Sequence, residues 1–197
     1  MAAIRLAREQ DSEQIQSIYA PIVRDSAISF ELKPPTIDEM CARISKYLKT
    51  HPWLVCEQNK KIMGYAYASE HRSRWAYQWA ADASVYIGES YRGKGVGRAL
   101  YTSLFELLKF QGFYHVYAGV TLPNPGSVGL HEAMEFQPIG VYKSVGFKFG
   151  QWHDVGWWHL PLKALSAHPT PPLEFSKAQK LPEWEAPMSA GLTHLKL

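Results

Sequence analysis

The stretch from Asp82 to Arg98 sets glycines 93, 95 and 97 among Arg92, Lys94 and Arg98, directly after an apolar, β-branched run. A long amphipathic segment follows. Where a strand breaks into such a loop and a helix begins, the first N–H groups have no intrahelical partner and the dipole end is positive. Glycines let that backbone approach a ligand closely, so the chemistry on offer is the binding of a di- or polyphosphate. The letters discriminate among phosphate loops. Gly88 to Lys94 fits the front of a GxxxxGK nucleotide loop, but Gly95 stands where Ser or Thr must hold magnesium. A dinucleotide fingerprint needs GxGxxG, whereas the spacing here is Gly93-x-Gly95-x-Gly97. What fits is Arg92-x-x-Gly95-x-Gly97 straight after a strand.

The elements that must position this loop follow from periodicity. Ile4–Arg8 alternates as a first strand. Asp11 with Gln14 resembles a capping box, before Ile15, Ile18, Tyr19 and Ile22 on one helical face. Ile28–Leu32 reads as a short strand stopped by Pro34-Pro35. Thr36 and Glu39 form a second capping box, with Met40, Ile44, Tyr47 and Leu48 as its apolar stripe. Trp53–Glu57 and Ile62–Ser69 read as a hairpin, and a polar, aromatic link (His71 to Gln78) leads to the strand Ala83–Ile87. A helix from Gly95 to Gln111 stops at Gly112. Then come a strand His115–Val120, a short helix through Leu130 to Met134, and a hairpin of Gly140–Phe147 and Asp154–Leu160. The order predicts an α/β (α+β) fold: a mixed central sheet with helices on both faces. Past Leu162 the proline content rises, so 1–162 reads as the domain and 163–197 as a tail packed on the surface or partly disordered.

Bulk properties narrow the partners. The net charge is +3 and the basic residues are scattered, which gives no nucleic-acid footprint. Cys41 and Cys56 suit reduced thiols in a cytoplasmic protein rather than a disulfide framework. No run reaches the length of a membrane span, and the N-terminus lacks a signal-peptide pattern. His153-Asp154 with His159 lacks convergent ligand spacing, so no metal site is expected, and no GxSxG elbow occurs.

The loop signature resembles that of the GCN5-related N-acetyltransferases (GNAT). Within them the chain from Ile4 to Leu162 resembles the phosphinothricin N-acetyltransferases, through Leu122-Pro-Asn124, Leu130-His131-Glu132, Val145-Gly-Phe-Lys148 and Trp152-His-Asp-Val-Gly156 in order. The resemblance implies the GNAT fold with splayed central strands, and transfer of an acetyl group from acetyl-CoA to the α-amine of a small amino-acid-like substrate. Methionine sulfoximine or sulfone is the alternative substrate. A degenerate module that binds acetyl-CoA without turnover is the alternative of another class, opposed by Asp82, His131 and two arginines. A homodimer is implied as well.

Site residues carry over from the same resemblance. Main-chain groups of Val85 and Ile87 would hold the pantetheine arm, and Arg92, Gly93, Lys94, Gly95, Val96 and Gly97 the pyrophosphate. Asn124 either contacts the cofactor arm or caps a turn. Asp82 stands where the family generally has Glu, and either it or His131 takes the proton from the ammonium group. Arg72 and Arg74 match a basic pair for an anionic substrate. Phe30 and Tyr77 either line the substrate cavity or pack. Tyr86 and Tyr142 are both candidates to protonate the departing thiolate, and each reads equally as core packing. Met134-Glu135-Phe136 replaces the Leu-Gly-aromatic more typical there.

Overall fold

Alternating apolar residues drive the central strands, and each alternation feeds one of two cores. The computed structural model describes residues 2–197. Seven strands form one sheet: β1 (Ala2–Leu6), β2 (Trp53–Gln58), β3 (Lys61–Glu70), β4 (Ala80–Ile87), β5 (His115–Leu122), β6 (Gln137–Lys148) and β7 (Gln151–Pro161). Their order is β1-β2-β3-β4-β5-β7-β6. All pairs are antiparallel except β4 with β5. In β2, Trp53 and Val55 face a core with helices α1 (Ser12–Asp25) and α2 (Ile37–Tyr47). Leu54 and Cys56 face the opposite core with α3 (Val96–Gln111), as the two-residue period of a strand requires. A short helix α4 (Pro125–Ala133) follows β5.

The parallel pairing of β4 and β5 is brief. It joins Ala80, Ala81 and Asp82 to His115, Val116 and Tyr117, and then the strands separate. Beyond Asp82 one edge of β4 therefore offers free N–H and C=O groups, while its other edge stays paired to β3 through Ile87. This is the splay that the resemblance implied.

Local signals explain most boundaries. Thr36 Oγ1 accepts from the Glu39 N–H, and Glu39 accepts from the Thr36 N–H, closing the expected box. Gly112 ends α3 in the left-handed region at φ 104°. Cys41 and Cys56 are both free thiols.

Three expectations are corrected. Asp11 does not cap α1 with Gln14; its carboxylate takes the Arg8 N–H and the Arg5 guanidinium. Burial opposes the charge on Asp11, and the Arg5 and Arg8 hydrogen bonds outweigh it, holding the carboxyl below its ordinary range. Ile28–Leu32 is not a strand. Its backbone is held by side chains instead: Lys148 Nζ donates to the Ser29 carbonyl, Thr121 Oγ1 to the Ile28 carbonyl, and the Glu31 N–H to Ser29 Oγ. The C-terminal segment is also more than a surface tail. It forms two short helices, α5 (Phe175–Ala178) and α6 (Glu185–Ser189), and buries Phe175, Trp184 and Met188 in the α3 core.

Glu135, in place of the more typical Gly, bears on how α4 ends. It sits at φ 67° just past α4, where its N–H reaches the Glu132 carbonyl and the Phe136 N–H reaches the His131 carbonyl. That pair of bonds is a Schellman ending, whose left-handed residue is usually Gly. Glu holds the position at a conformational cost of about 1 kcal/mol.

Candidate active site

A cleft of about 790 Å³ opens where β4 leaves β5. Its floor is Val85, Tyr86 and Ile87, one end is the glycine loop, and one side is Asn124 with α4. Gly93 and Gly95 adopt φ of 75° and 77°, which turn the loop into α3. The first intrahelical bond runs from the Ala99 N–H to the Gly95 carbonyl, so the amides of Val96, Gly97 and Arg98 have no helical partner. Arg92, Gly93, Val96 and Arg98 line the cleft beside Gly95 and Gly97. Lys94 lies outside that lining, its Nζ 5.4 Å from the centre of the Tyr91 ring. Loop amides, helix dipole and two guanidinium groups give this end the chemistry to hold an anion.

Asn124 fulfils the capping reading and keeps a second capacity. Its Oδ1 accepts the Ser127 N–H at 3.2 Å as the N-cap of α4, which leaves Nδ2 to donate into the cleft it lines. Tyr86 also lines the cleft, packs edge-on against Tyr19 at 4.9 Å, and is held strongly protonated by burial. Tyr142 lies on the β6–β7 hairpin, half exposed, beside Trp157.

The structure brings His71, not His131, to Asp82. The His71 Nδ1 to Asp82 Oδ1 distance is 2.6 Å, and the two side chains are only 13% and 28% exposed. The His71 ring stacks on Tyr117 at 4.4 Å and 19°. Burial pushes the Asp82 carboxyl above its ordinary range, against the His71 hydrogen bond and the charges of His71 and Arg72. Asp82 is the last β4 residue paired to β5, so it stands at the apex of the splay. Val85 follows three residues on, about 10 Å along an extended strand.

His131 occupies the opposite face of the sheet. It is 3% exposed among Tyr101, Phe136 and Trp158. Its Nδ1 donates to the Ser127 carbonyl at 2.7 Å, and Nε2 accepts from the Tyr101 hydroxyl at 3.2 Å. Burial lowers its pKa, so the ring is neutral with both nitrogens in use. Nothing in the sequence around Leu130-His-Glu132 showed that burial, because Tyr101 and Trp158 come from elsewhere in the chain.

Of the remaining expected residues, Arg72 and Tyr77 lie beside His71. Arg72 and Arg74 lie exposed in the β3–β4 link, with Arg72 Nη1 donating to the His71 carbonyl at 2.9 Å. Tyr77 is 6.0 Å from His71, ring to ring, and shares a cavity of about 240 Å³ with it. Phe30 packs against the backbone of Gly146 and 6.2 Å from the His153 ring. Sequence reasoning missed His71 because it sits in a polar link. The antiparallel β3–β4 register, Ser69 opposite Asp82, is the signal that folds it back.

Comparison with known proteins agrees with the fold. An acetyltransferase (GNAT) domain family matches residues 4–157. A phosphinothricin N-acetyltransferase of Alcaligenes faecalis is 42% identical over 163 residues, 82% of this chain and 83% of that protein. An L-methionine sulfoximine/L-methionine sulfone acetyltransferase of Salmonella typhimurium is 31% identical over 83% of this chain and 96% of its own. Among solved structures, a phosphinothricin acetyltransferase of Sinorhizobium meliloti in complex with AcCoA superposes with a TM-score of 0.80. It is 31% identical, over 88% of this chain and 98% of that one.

Proposed function

The chain belongs to the GNAT acetyltransferases, and from that premise we propose that it moves the acetyl group of acetyl-CoA to the α-amine of a small, anionic amino-acid-like substrate such as phosphinothricin. The observation that carries this reading is the His71–Asp82 pair at the apex of the splay, with Arg72 beside it and the phosphate loop along the same strand.

Acetyl-CoA supplies an activated acyl group; the chain supplies placement, a proton acceptor and donors. The loop and the free edge of β4 fit the phosphates and the amide-bearing arm. N–H groups on that edge are the donors at hand for the charge that develops on the thioester oxygen. With Nδ1–H donated to Asp82, the His71 Nε2 lone pair is free to take a proton from the substrate ammonium, directly or through one water. The neutral amine then attacks the thioester carbonyl, the C–S bond breaks, and the amine's second proton passes to solvent, from which the thiolate's proton donor is restored. Tyr86, which lines the cleft, is the candidate to give its proton to the departing thiolate. Arg72 and Arg74 supply the clamp for the substrate's anionic groups, and His131 serves as packing between α4 and α3.

A thiol-release assay with acetyl-CoA and a panel of amines tests the reading. Phosphinothricin is expected to be acetylated, and Arg74→Ala to raise its KM at least tenfold more than that of uncharged-tail methionine sulfone. The factor follows from a charge-assisted bond worth about 1.5–3 kcal/mol. Equal effects on both substrates remove Arg74 from substrate recognition, a neutral sulfone preferred throughout moves the assignment to the second substrate class, and no thiol release from any amine overturns the function.

The same reading includes a pair of chains. Strand β6 is the free edge of the sheet, and Ile139, Val145, Phe147, Phe149 and Trp152 on its hairpin are all at least half exposed. An apolar edge of that length calls for cover. Light scattering is expected to give the mass of two protomers, and a single-chain mass across working concentrations refutes the pairing.

A further inference from the structure

Residues 163–197 lie beyond the 4–157 family match, yet their end returns to the phosphate loop. The path is fixed by burial. Trp184 and Met188 sit in the α3 core, and the Gly191 N–H donates to the buried Ser103 hydroxyl at 3.0 Å. Gly191 lies directly on the Ala99 carbonyl, so close that no Cβ would fit. From that anchor the chain runs along the start of α3. The His194 carbonyl packs on Gly95, and the Lys196 N–H donates to the Lys94 carbonyl at 3.0 Å. Thr193, His194 and Lys196 thereby become part of the cleft lining, together with Arg92 and Arg98.

The charge at this end is one-sided. No Asp or Glu lines the cleft. Among the described residues Arg92, Arg98 and Lys196 make no ion pair. Uncompensated cations converging on a cleft that already presents helix-start amides raise the local concentration of a polyanion. Acetyl-CoA carries such a group, a pyrophosphate and a ribose 3′-phosphate, at the end away from its thioester.

We propose that the C-terminal segment Thr193–Lys196 is a wall of the acetyl-CoA site and that Lys196 contacts the phosphates of the nucleotide half. This rests on the acetyl-CoA reading above. The tail thus makes nucleotide affinity depend on a segment outside the family domain. Its anchor on α3 holds the wall in register with the loop.

Calorimetry with three probes tests the proposal: acetyl-CoA, acetyl-dephospho-CoA and S-acetylpantetheine, which lacks every phosphate. Lys196→Ala, whose exposed side chain carries no packing, is expected to fold as the parent does. It should weaken acetyl-CoA about three- to tenfold, the scale of one exposed ion contact made charge-assisted, and leave S-acetylpantetheine unchanged. Loss that persists with acetyl-dephospho-CoA supports contact at the pyrophosphate; loss confined to acetyl-CoA supports contact at the 3′-phosphate. A chain ending at Leu192, which keeps the Gly191 anchor, should weaken acetyl-CoA further. Equal acetyl-CoA affinity in parent, Lys196→Ala and the shortened chain overturns the proposal while leaving the acetyl-CoA reading intact. A parent protein that binds no acetyl-CoA overturns both.

Discussion

Asp82→Asn lowers kcat by about 100- to 10,000-fold, the worth of a general base, and leaves acetyl-CoA affinity unchanged. The reason lies in the tautomer of His71. A carboxylate at 2.6 Å accepts a hydrogen bond from Nδ1–H and holds the proton on that nitrogen, so Nε2 is left with its lone pair. An Asn amide can donate to Nδ1 instead, which puts the imidazole proton on Nε2 and removes the acceptor. His71→Ala removes the same acceptor and is expected to fall as far. The two losses are not additive if the pair acts as one unit, so the double variant should match either single one. His131→Gln, on the other face of the sheet, is expected to keep kcat near that of the parent.

The pH dependence follows with a definite sign. Turnover needs an ionised Asp82 and a neutral amine, so it rises with pH. Burial raises the Asp82 carboxyl above its ordinary range, which moves the acid limb toward neutrality. Stability runs the other way for this residue. Between the unfolded carboxyl pKa, about 3.9, and the raised folded value, the folded state holds the proton more tightly, so stability falls as pH rises through that window. At neutral pH Asp82→Asn removes a buried charge, and its Tm is expected to be no lower than the parent's. A variant that keeps both its kcat and its pH profile, with His71→Ala equally active, removes the pair from the chemistry.

How far the letters could be read depends on what each feature demands. The glycine loop was legible because its requirements are backbone requirements: glycines at positive φ after a strand and before a helix leave few other spellings. The pairing that fixes His71 was not, since it depends on the register of β3 on β4 rather than on any local pattern. Ile28–Leu32 has the composition of a strand, but Ser29, Thr121 and Lys148 satisfy its backbone with side chains, which no window of sequence contains. In the C-terminal segment the prolines excluded a long helix and said nothing about burial. The few large apolar residues, Phe175, Trp184 and Met188, decided that the segment joins the core. His131 shows the converse. Its neighbours in sequence match a family motif, and its neighbours in space make it a satisfied core group.

Gly95→Val is expected to weaken acetyl-CoA binding by more than tenfold, and here two independent costs meet at one Cα. The residue holds φ at 77°, a region that costs an L-amino acid roughly 1–2 kcal/mol and a β-branched one more. Its Cβ would also strike the His194 carbonyl, which is backbone and has no rotamer to yield. Relief must come from moving the loop or the C-terminal segment, and either movement misaligns the Val96–Arg98 amides or withdraws Lys196 from the cleft. Gly93→Ala separates the costs, because Gly93 has nearly the same φ of 75° and no atom within 4 Å of where a methyl group would stand. It should show the conformational cost alone and a smaller loss. Adding Gly95→Val to the chain that ends at Leu192 removes the collision and keeps the strained φ, so the further loss relative to that shortened chain should resemble the loss that Gly93→Ala causes in the parent. Calorimetry on the folded variants decides. Parent-like acetyl-CoA affinity in Gly95→Val would mean that neither the loop backbone nor its contact with His194 bears on the nucleotide.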